Sequence, residues 1–390
     1  MWREYPRRLG ATIIQLKPAW LIIFGGLLLV GIGILLLPPA NNAVPVPIAA
    51  QENREMTPAR FYQQLDDHRV QCTLCFHNCV IPAGRHGICR VRKNYHGRLY
   101  TLVWGRPVGL QIDPIEAEPM YHMIPGHRNL GVFTVSCNFR CKQCHNWHIT
   151  QRGPDEIRAL RFTPEEVVAE AIRRNARSIS HTINEPTVFF EFMYDIATIA
   201  RAQGLLNLFH TNGGISPEPL RALLRHMDGV VVDLKAFCDE TYGEVFGGRL
   251  EPVLTTLKII REEGVWLEIV NLVIPTINDC MDEIRAMSEW IVEHLGPDVP
   301  LHFTRFHPNF RLTHLPPTPV KTLEMAHRIA REVGINFVTI GNVPGHRYNS
   351  TFCPCTGERL IHRTHFAVIY NKIVDGRSPF SGRPVPGIWE

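Results

Sequence analysis

Seven short apolar segments recur after residue 129, and amphipathic stretches lie between them. They are LGVFTVS (130–136), SISHTI (178–183), LLNLFHT (205–211), VVVDLKA (230–236), WLEIVNLVI (266–274), LHFTRF (301–306) and NFVTIG (336–341). The stretch TPEEVVAEAIRRN has the capping box of a helix start, with Thr163 as the N-cap, Glu166 three residues later and Pro164 at the first helical position. Strands that alternate with helices form a parallel sheet. We therefore predict an α/β fold with a partial or full (β/α) TIM-like barrel, whose ligands bind at the carboxyl ends of its strands.

A loop with three cysteines follows the first predicted strand directly. The loop reads CNFRCKQC and contains Cys137, Cys141 and Cys144, while the nearest cysteine upstream is Cys89. Thiolates suit zinc or iron–sulfur clusters, and a structural zinc site normally has four protein ligands. Three cysteines instead favour a [4Fe–4S] cluster whose fourth iron stays open to a substrate or cofactor. A zinc site or plain core cysteines are the alternative.

The spacing C-x₃-C-x₂-C after a first barrel strand resembles the signature of radical S-adenosylmethionine (SAM) enzymes. Further segments extend the resemblance, namely INEPT (183–187), HTNGG (210–214), VVVDLKAF (230–237) and LVIPTIND (272–279). The TNG and DLK motifs resemble those of glycyl-radical activating enzymes such as pyruvate formate-lyase activating enzymes. Together with DPIEAEPMYHMIPG and PLHFTRFHPNF, they resemble the radical SAM enzyme of the AmmeMemoRadiSam system over about residues 56–390.

The resemblance implies a chemistry. Cys137, Cys141 and Cys144 would bind a [4Fe–4S] cluster, and S-adenosyl-L-methionine would chelate the fourth iron. Cluster potentials reach about −700 mV, low enough for reductive cleavage of SAM to a 5′-deoxyadenosyl radical that abstracts hydrogen from an unknown substrate. Glycyl-radical activation of a protein is one such reaction. A low-potential electron donor of the ferredoxin or flavodoxin type is the implied partner.

The resemblance also assigns residues to parts of SAM. Asn184, Glu185 and Pro186 are expected at its methionine end, Thr211, Asn212, Asp233 and Lys235 at its carboxylate or ribose, and Ile274 and Pro275 at its adenine. A strand-end salt bridge is the alternative for Asp233 and Lys235. The position before the last cluster cysteine, usually aromatic in this family, is Gln143, which leaves the adenine contact there unassigned.

A substrate pocket is predicted on the last strand but one. His302, Arg305 and His307 lie along it, and we expect them to share one face of the strand because side chains alternate between faces. A packed polar network is the alternative. Cys238, just past the fourth strand, is interpreted as a buried cysteine.

Two further sets of cysteines flank the predicted barrel. Cys72, Cys75, Cys79 and Cys89 have the spacing C-x₂-C-x₃-C-x₉-C, which fits zinc or an auxiliary iron–sulfur cluster, with His77 or His86 as a replacement ligand. At the C-terminus, CPCTG (353–357) and SPFSG (378–382) resemble a zinc ribbon in which hydroxyls replace several thiols. Hydroxyls are poor zinc ligands, so we expect no metal in this degenerate ribbon.

The N-terminus has a different composition. Residues 19–37 are nineteen apolar residues without a charge, enough to cross a bilayer as a helix. We predict a single-pass membrane anchor and linker (1–55), a Cys-rich module (56–128), a radical SAM barrel (129–345) and a ribbon-like tail (346–390). Met56 is an alternative start.

Two arguments about the orientation of the anchor disagree. Arg3, Arg7, Arg8 and Lys17 precede the apolar run, and the positive-inside rule would then place the barrel outside. Thiolates and SAM chemistry favour the cytoplasm instead, because exposed thiols oxidise outside it. We predict a cytoplasmic barrel.

The net charge gives no support for a nucleic-acid partner. With 41 Lys and Arg against 37 Asp and Glu, the net charge is only +4, which does not favour nucleic-acid binding. The rival function is a membrane-anchored iron–sulfur electron-transfer or metal-binding protein that does not cleave SAM. A cluster with only three protein ligands argues against that rival, since a relay cluster usually has four.

Overall fold

Residues 56–390 are described by a computed structural model, and the predicted anchor at residues 19–37 lies outside the described residues. A central eight-stranded sheet dominates this part of the chain. Its strands are β7 (Gly109–Pro114), β8 (Arg128–Phe133), β9 (Ser178–His181), β10 (Leu206–Thr211), β11 (Gly229–Asp233), β12 (Trp266–Val273), β13 (Leu301–Arg305) and β14 (Val338–Gly341). Strands β8 to β14 are parallel and in chain order, while β7 pairs antiparallel with β8. The sheet is therefore an open barrel of seven parallel strands with one added antiparallel strand.

Helices follow the parallel strands, as the alternation of the sequence predicts. They are α1 (Trp147–Thr150), α2 (Pro164–Arg173), α3 (Phe190–Ala202), α4 (Pro217–Leu224), α5 (Asp239–Thr241), α6 (Leu250–Glu262), α7 (Met281–Leu295) and α8 (Val320–Val333). A π-helical turn at Tyr242–Phe246 continues α5. The predicted capping box is present, since the Thr163 side chain accepts from the Glu166 N–H and the Glu166 side chain accepts from the Thr163 N–H.

The strands are buried on both faces, as expected of a parallel sheet covered by helices. All four residues of β9 and the first four of β11 are buried. Apolar side chains such as Val132, Phe209 and Phe303 belong to the main core. Polar side chains of Ser180, Thr182 and His210 instead meet around Glu118 and make the barrel interior hydrophilic.

Two small antiparallel sheets precede the barrel. The first contains β1 (Thr57–Pro58), β6 (Arg98–Thr101) and β5 (Arg92–Tyr95), and the second contains β2 (Tyr62–Gln64), β3 (Val70–Cys72) and β4 (Val80–Ile81). Together they carry the upstream cysteines. A bridge between Cys75 and Ile215 and a hydrogen bond from the Ser216 N–H to the Leu74 carbonyl join this region to the segment after β10.

The C-terminal segment packs against the opposite end of the barrel. Its sheet consists of β15 (Thr351–Phe352), β16 (Arg359–Thr364) and β17 (Ala367–Asn371). Buried Arg363 on β16 contacts Glu116 and donates to the Tyr121 carbonyl. The C-terminal sheet thereby holds the loop between β7 and β8 in place.

The two loops of the predicted ribbon face each other. The Ser378 hydroxyl donates to the Cys353 thiol at 3.4 Å, and the Ser381 hydroxyl lies 3.4 Å from the same sulfur. Although burial opposes it, these hydrogen bonds lower the pKa of Cys353 to about 6. Cys355 is exposed and receives a hydrogen bond from Arg383. The structure thus places hydroxyls around one buried thiol, and the absence of a metal here stays a prediction.

All seven predicted strands are present, with their ends shifted by at most three residues. None of the helices within residues 56–390 is both long and apolar enough to cross a membrane. Within residues 56–390, the barrel, the small sheets and the C-terminal sheet form one compact unit. The predicted boundaries inside this unit stay predictions.

Replacing Glu268 should destabilise the barrel strongly. This fully buried carboxylate accepts from the backbone N–H groups of Tyr121 and His122 and pairs with His302 at 2.7 Å. Removing this acceptor leaves several buried donors unsatisfied, at about 1–3 kcal/mol for each. We expect Glu268→Ala to lower the free energy of unfolding by that order in denaturant titration. Glu293→Ala, at an exposed helix position, is the matched control and should leave it nearly unchanged.

The same site predicts loss of stability in acid. Burial opposes ionisation of Glu268, but hydrogen bonds from His302 and Trp266 hold its pKa at about 2, below its ordinary value of 4.5. Burial lowers the pKa of His122 to about 4 from 6.5. In both cases the unfolded chain binds more protons, so stability falls as pH drops below about 6.5 and continues to fall towards pH 2. An unfolding free energy that is higher at pH 4 than at pH 6.5 would contradict this assignment.

Candidate functional site

The three-cysteine loop begins at a strained turn where β8 ends. Ser136 lies at φ 74°, in the left-handed region that non-glycine residues rarely adopt. The Asn184 side chain stabilises this turn, because its Nδ2 donates to the carbonyls of Val135 and Ser136 and its Oδ1 accepts from the Thr134 N–H. Strain of this kind concentrates at functional sites. Asn184 therefore shapes the start of the loop and has both ends of its amide occupied.

Backbone contacts fix the rest of the loop. The N–H groups of Arg140 and Lys142 donate to the carbonyls of Phe246 and Val245 at 2.8 and 2.9 Å. Gly248 permits this approach, since a Cβ there would lie 2.5 Å from the Phe139 ring. The π-helical turn after β11 therefore determines where the loop lies.

The three thiols have the surroundings of cluster ligands. The Phe139 N–H and the Asn212 side-chain N–H point at the Cys137 sulfur, at 3.3 and 3.6 Å. Cys141 is buried, and burial raises the pKa of its thiol to about 12, an effect that Lys235 opposes. Cys144 contacts the Thr150 hydroxyl at 3.2 Å. N–H donors aimed at sulfur and a nearby cation both stabilise thiolate, and so the residues present fit a cluster ligated by these three cysteines.

Glu185 lies at the centre of the neighbouring polar site. It is buried, it follows β9, and it caps a short 3-10 helix at Pro186–Phe189. One carboxylate oxygen accepts from the Thr187 N–H at 3.0 Å and from the hydroxyls of Thr187 and Thr211 at 2.6 and 2.8 Å. The other accepts from the Asn212 N–H at 2.8 Å. Burial nevertheless raises the pKa of Glu185 above its ordinary value.

Asn212 connects Glu185 to the cysteine loop. Its side-chain N–H donates to Asn138 Oδ1 at 2.8 Å, and its Oδ1 accepts from the Gly214 N–H at 2.9 Å. Gly213 lies at φ 75°, a conformation that suits glycine. The motifs at the ends of β8, β9 and β10 are therefore one hydrogen-bonded unit.

Asp233 and Lys235 form the salt bridge that the alternative interpretation predicts. Lys235 Nζ lies 2.8 Å from Asp233 Oδ2, and the other Asp233 oxygen lies 3.5 Å from His210 Nε2. His210 Nδ1 in turn lies 3.1 Å from Glu118. Burial opposes protonation of His210, but hydrogen bonds to Asp233 and Glu118 raise its pKa to about 10. All four groups are therefore charged at neutral pH, and their charges balance.

The predicted adenine segment is joined to the same strand end. Asn278 accepts from the Ile274 N–H at 2.6 Å and donates to the Lys235 carbonyl at 2.6 Å and to the Leu272 carbonyl at 2.9 Å. Ile274 is fully buried, and Pro275 follows it into a turn in which Thr276 has φ 66°. Gln143 is buried, and its Oε1 has no hydrogen-bond partner in the structure.

The three residues of the predicted substrate strand do not meet. His302 is buried between Glu268 and Thr339, each at 2.7 Å, in the polar network at the opposite end of the barrel. Arg305 lies at the carboxyl end of β13 and donates to the Thr318 carbonyl. His307 is exposed on the next loop. The prediction of one shared face is wrong, because residues 302 and 305 are an odd number of positions apart and so point to opposite faces.

Glu118 and His210 are functional candidates that sequence reasoning missed. Glu118 lies in the segment DPIEAEPMYHMIPG. His210 directly precedes the TNG motif. Position next to a recognised motif was the only available signal, since Glu118 and His210 are 92 residues apart.

Comparisons with known proteins place this chain among others of similar sequence and fold. Residues 132–291 match the radical SAM superfamily. An uncharacterized protein of Methanocaldococcus jannaschii is 45% identical over 311 residues, covering 80% of this chain and 92% of that protein. The pyruvate formate-lyase-activating enzyme of Clostridium pasteurianum is 27% identical over 176 residues, covering 43% and 70%. A crystal structure of a radical SAM methyltransferase from Sphaerobacter thermophilus has a TM-score of 0.45 at 15% identity, covering 76% and 82%.

The match to the radical SAM superfamily and the three-cysteine loop identify this chain as a radical SAM enzyme. It is related to the pyruvate formate-lyase-activating enzymes, and its cofactors are a [4Fe–4S] cluster and SAM.

Changing Glu185 should separate SAM binding from cluster binding. Glu185→Ala removes a charged acceptor beside the cysteine loop without touching a thiol. We expect iron content close to that of the wild type and SAM affinity reduced about tenfold or more, the order of one charge-assisted hydrogen bond. Equilibrium dialysis of anaerobic protein against labelled SAM measures the affinity. An unchanged SAM affinity in a variant of normal iron content would remove Glu185 from the binding site.

Proposed function

We propose that this enzyme uses SAM-dependent radical chemistry to remove a hydrogen atom from a glycine of a partner protein. When bound, the reduced cluster supplies the electron that cleaves SAM to methionine and a 5′-deoxyadenosyl radical, and that radical takes the hydrogen. The observation that carries the proposal is the single hydrogen-bonded unit of Cys137, Asn138, Asn212 and Glu185.

The residues of this chain have separate tasks in that reaction. Glu185 binds the amino group of SAM, and Thr187, Thr211 and Asn212 hold the carboxylate in place with four hydrogen bonds. Ile274 and Pro275 contact the adenine, and the buried Gln143 amide oxygen lies in the segment that would face it.

The interior of the barrel favours a neutral group over a charged metabolite. Glu118, His210, Asp233 and Lys235 neutralise one another, and their side chains are 8–29% exposed. A peptide backbone can form hydrogen bonds with these four groups through its amides, and it brings no uncompensated charge. An anionic metabolite would lack a free cation among these four groups.

Two more observations support a protein substrate. One relative is a pyruvate formate-lyase-activating enzyme, and the TNG and DLK segments lie at adjacent strand ends here. Within residues 56–390, the end strands β7 and β14 are not paired with each other, so the barrel is open along one side. An extended segment of a partner needs such an opening. The electron donor is proposed to be a low-potential ferredoxin or flavodoxin.

Deuterium transfer tests the substrate class. Source cells are grown on glycine deuterated at its α-carbon, and their anaerobic extract is divided into macromolecular and small-molecule fractions. Each fraction is incubated with reduced enzyme and SAM, and 5′-deoxyadenosine is analysed by mass spectrometry. We expect deuterium in 5′-deoxyadenosine with the macromolecular fraction only.

His210→Gln is the matched variant for this assay. It removes one positive charge from the balanced set of Glu118, His210, Asp233 and Lys235. We expect it to reduce deuterium transfer much more than it reduces SAM cleavage in the absence of substrate. Deuterium transferred only from the small-molecule fraction would contradict a protein substrate.

We also propose that residues 19–37 anchor the enzyme to a membrane with the barrel in the cytoplasm. The support is the uncharged nineteen-residue run and the need of the barrel for SAM and reduced thiols. A membrane-impermeant thiol reagent applied to intact cells should leave Cys280, which is exposed, unlabelled until the cells are lysed. Labelling before lysis would place the barrel outside. Recovery of the protein only in the soluble fraction, with Met56 as its first residue, would exclude the anchor.

A further inference from the structure

Four thiols line a second cavity, close to the SAM site but separate from it. Cys72, Cys75, Cys79 and Cys89 all contribute to its wall. No disulfide is present among the cysteines of residues 56–390. None of these four cysteines takes part in the chemistry described above. The cavity therefore requires an explanation of its own.

The fold brings the four thiols together from two hairpin-like segments. The Cys72 N–H donates to the Cys79 carbonyl at 2.9 Å, and the Asn78 N–H donates to the Cys75 carbonyl at 3.0 Å. Cys89 lies before β5, and its carbonyl accepts from the Ser136 hydroxyl at 2.5 Å. The position of each thiol is thus set by backbone bonds rather than by a flexible terminus.

A buried arginine in the same wall lacks partners. Arg92 is 1% exposed and pairs with Glu191 at 2.9 Å through one terminal nitrogen. Its Nε and its other terminal nitrogen have no hydrogen-bond partner in the structure. Buried N–H groups of a charged side chain are costly when unpaired. Their orphaned state beside four thiols points to an anionic group that occupies the cavity.

The unpaired N–H groups of Arg92 distinguish two kinds of metal group. A zinc ion held by four thiolates would bring no hydrogen-bond acceptor of its own. The sulfides of an iron–sulfur cluster accept hydrogen bonds. The orphaned N–H groups in the cavity wall therefore favour a cluster.

We propose that Cys72, Cys75, Cys79 and Cys89 ligate an auxiliary iron–sulfur cluster, and that Arg92 compensates its negative charge. A cluster with four cysteine ligands is the usual closed form. It would have no open iron, in contrast to the cluster at Cys137, Cys141 and Cys144. This assignment is independent of the substrate proposed above.

The auxiliary cluster would share a wall with the SAM site. Thr187 and Val188 line the cavity, and Thr187 also donates twice to Glu185. His77, in the same wall, lies 2.7 Å from the Asn138 carbonyl in the cysteine loop. Loss of the auxiliary cluster should therefore weaken SAM binding as well.

Removing the first cluster isolates the second. Full-length protein carrying Cys137→Ala, Cys141→Ala and Cys144→Ala is purified anaerobically and reconstituted with iron and sulfide. We expect it to retain iron and acid-labile sulfide in about equal amounts, with the visible absorption of an iron–sulfur cluster. Adding Cys75→Ser should remove most of both. Adding Cys280→Ser instead, at an exposed position, is the matched control and should change neither.

A second measurement covers the case in which Cys75→Ser fails to fold, which circular dichroism would reveal. In the triple variant, Arg92→Met removes the buried cation, whereas Arg92→Lys keeps it. We expect a lower midpoint potential for Arg92→Met than for Arg92→Lys, because the reduced cluster carries more negative charge. Equal potentials would overturn the role of Arg92.

The remaining outcomes are equally decisive. Stoichiometric zinc without sulfide in the triple variant would overturn the iron–sulfur assignment, and so would the absence of any bound metal. Neither result would affect 5′-deoxyadenosine formation by the wild type, since the triple variant lacks the cysteines of that site. Failure of this inference is therefore distinguishable from failure of the proposed function.

Discussion

The buried carboxylate of Glu185 is the interaction on which the functional end of the barrel depends. An ionised carboxylate out of water must be satisfied by donors, and here the donors come from the ends of β9 and β10. Asn212 extends the same network to the cysteine loop after β8. The register of three parallel strands is therefore fixed where the cofactors bind. A shift of one residue in any of them would leave the carboxylate unsatisfied.

The amino ends of the barrel strands contribute to stability, and the carboxyl ends carry the chemical groups. At the amino ends of the strands, Glu268 and His302 form a buried network with the loop between β7 and β8, and Arg363 holds that loop from the C-terminal sheet. At the carboxyl ends, charged groups such as Asp233 and Lys235 stay partly exposed. Their partial exposure gives these charged groups access to the barrel interior, where SAM and substrate would bind.

Sequence reasoning succeeded where the signal was local. The seven strands, the capping box at Thr163 and the loop of Cys137 follow from apolar runs, N-cap chemistry and cysteine spacing. It failed where contacts join distant residues. The His210–Glu118 pair spans 92 positions, so no pattern along the chain announces it.

Some predicted residues have a different task from the one expected. Asn184 has its amide occupied by the end of β8, and so it positions the loop. His302 carries the same polar character as a substrate ligand, but its place near the amino end of β13 puts it in the structural network. Residue type and motif identify candidate residues. Their position along the strand, near its amino or its carboxyl end, decides whether they serve structure or function.

The central claim is that the open iron site binds and cleaves SAM. Anaerobic protein is reduced with dithionite in the presence of SAM, and the products are separated by chromatography. Electron paramagnetic resonance of the reduced cluster is recorded with and without SAM. The account predicts equal amounts of methionine and 5′-deoxyadenosine, and a cluster spectrum that changes when SAM is added. An unchanged spectrum with no 5′-deoxyadenosine, from protein that holds its full iron, would contradict it and would favour an electron-transfer protein.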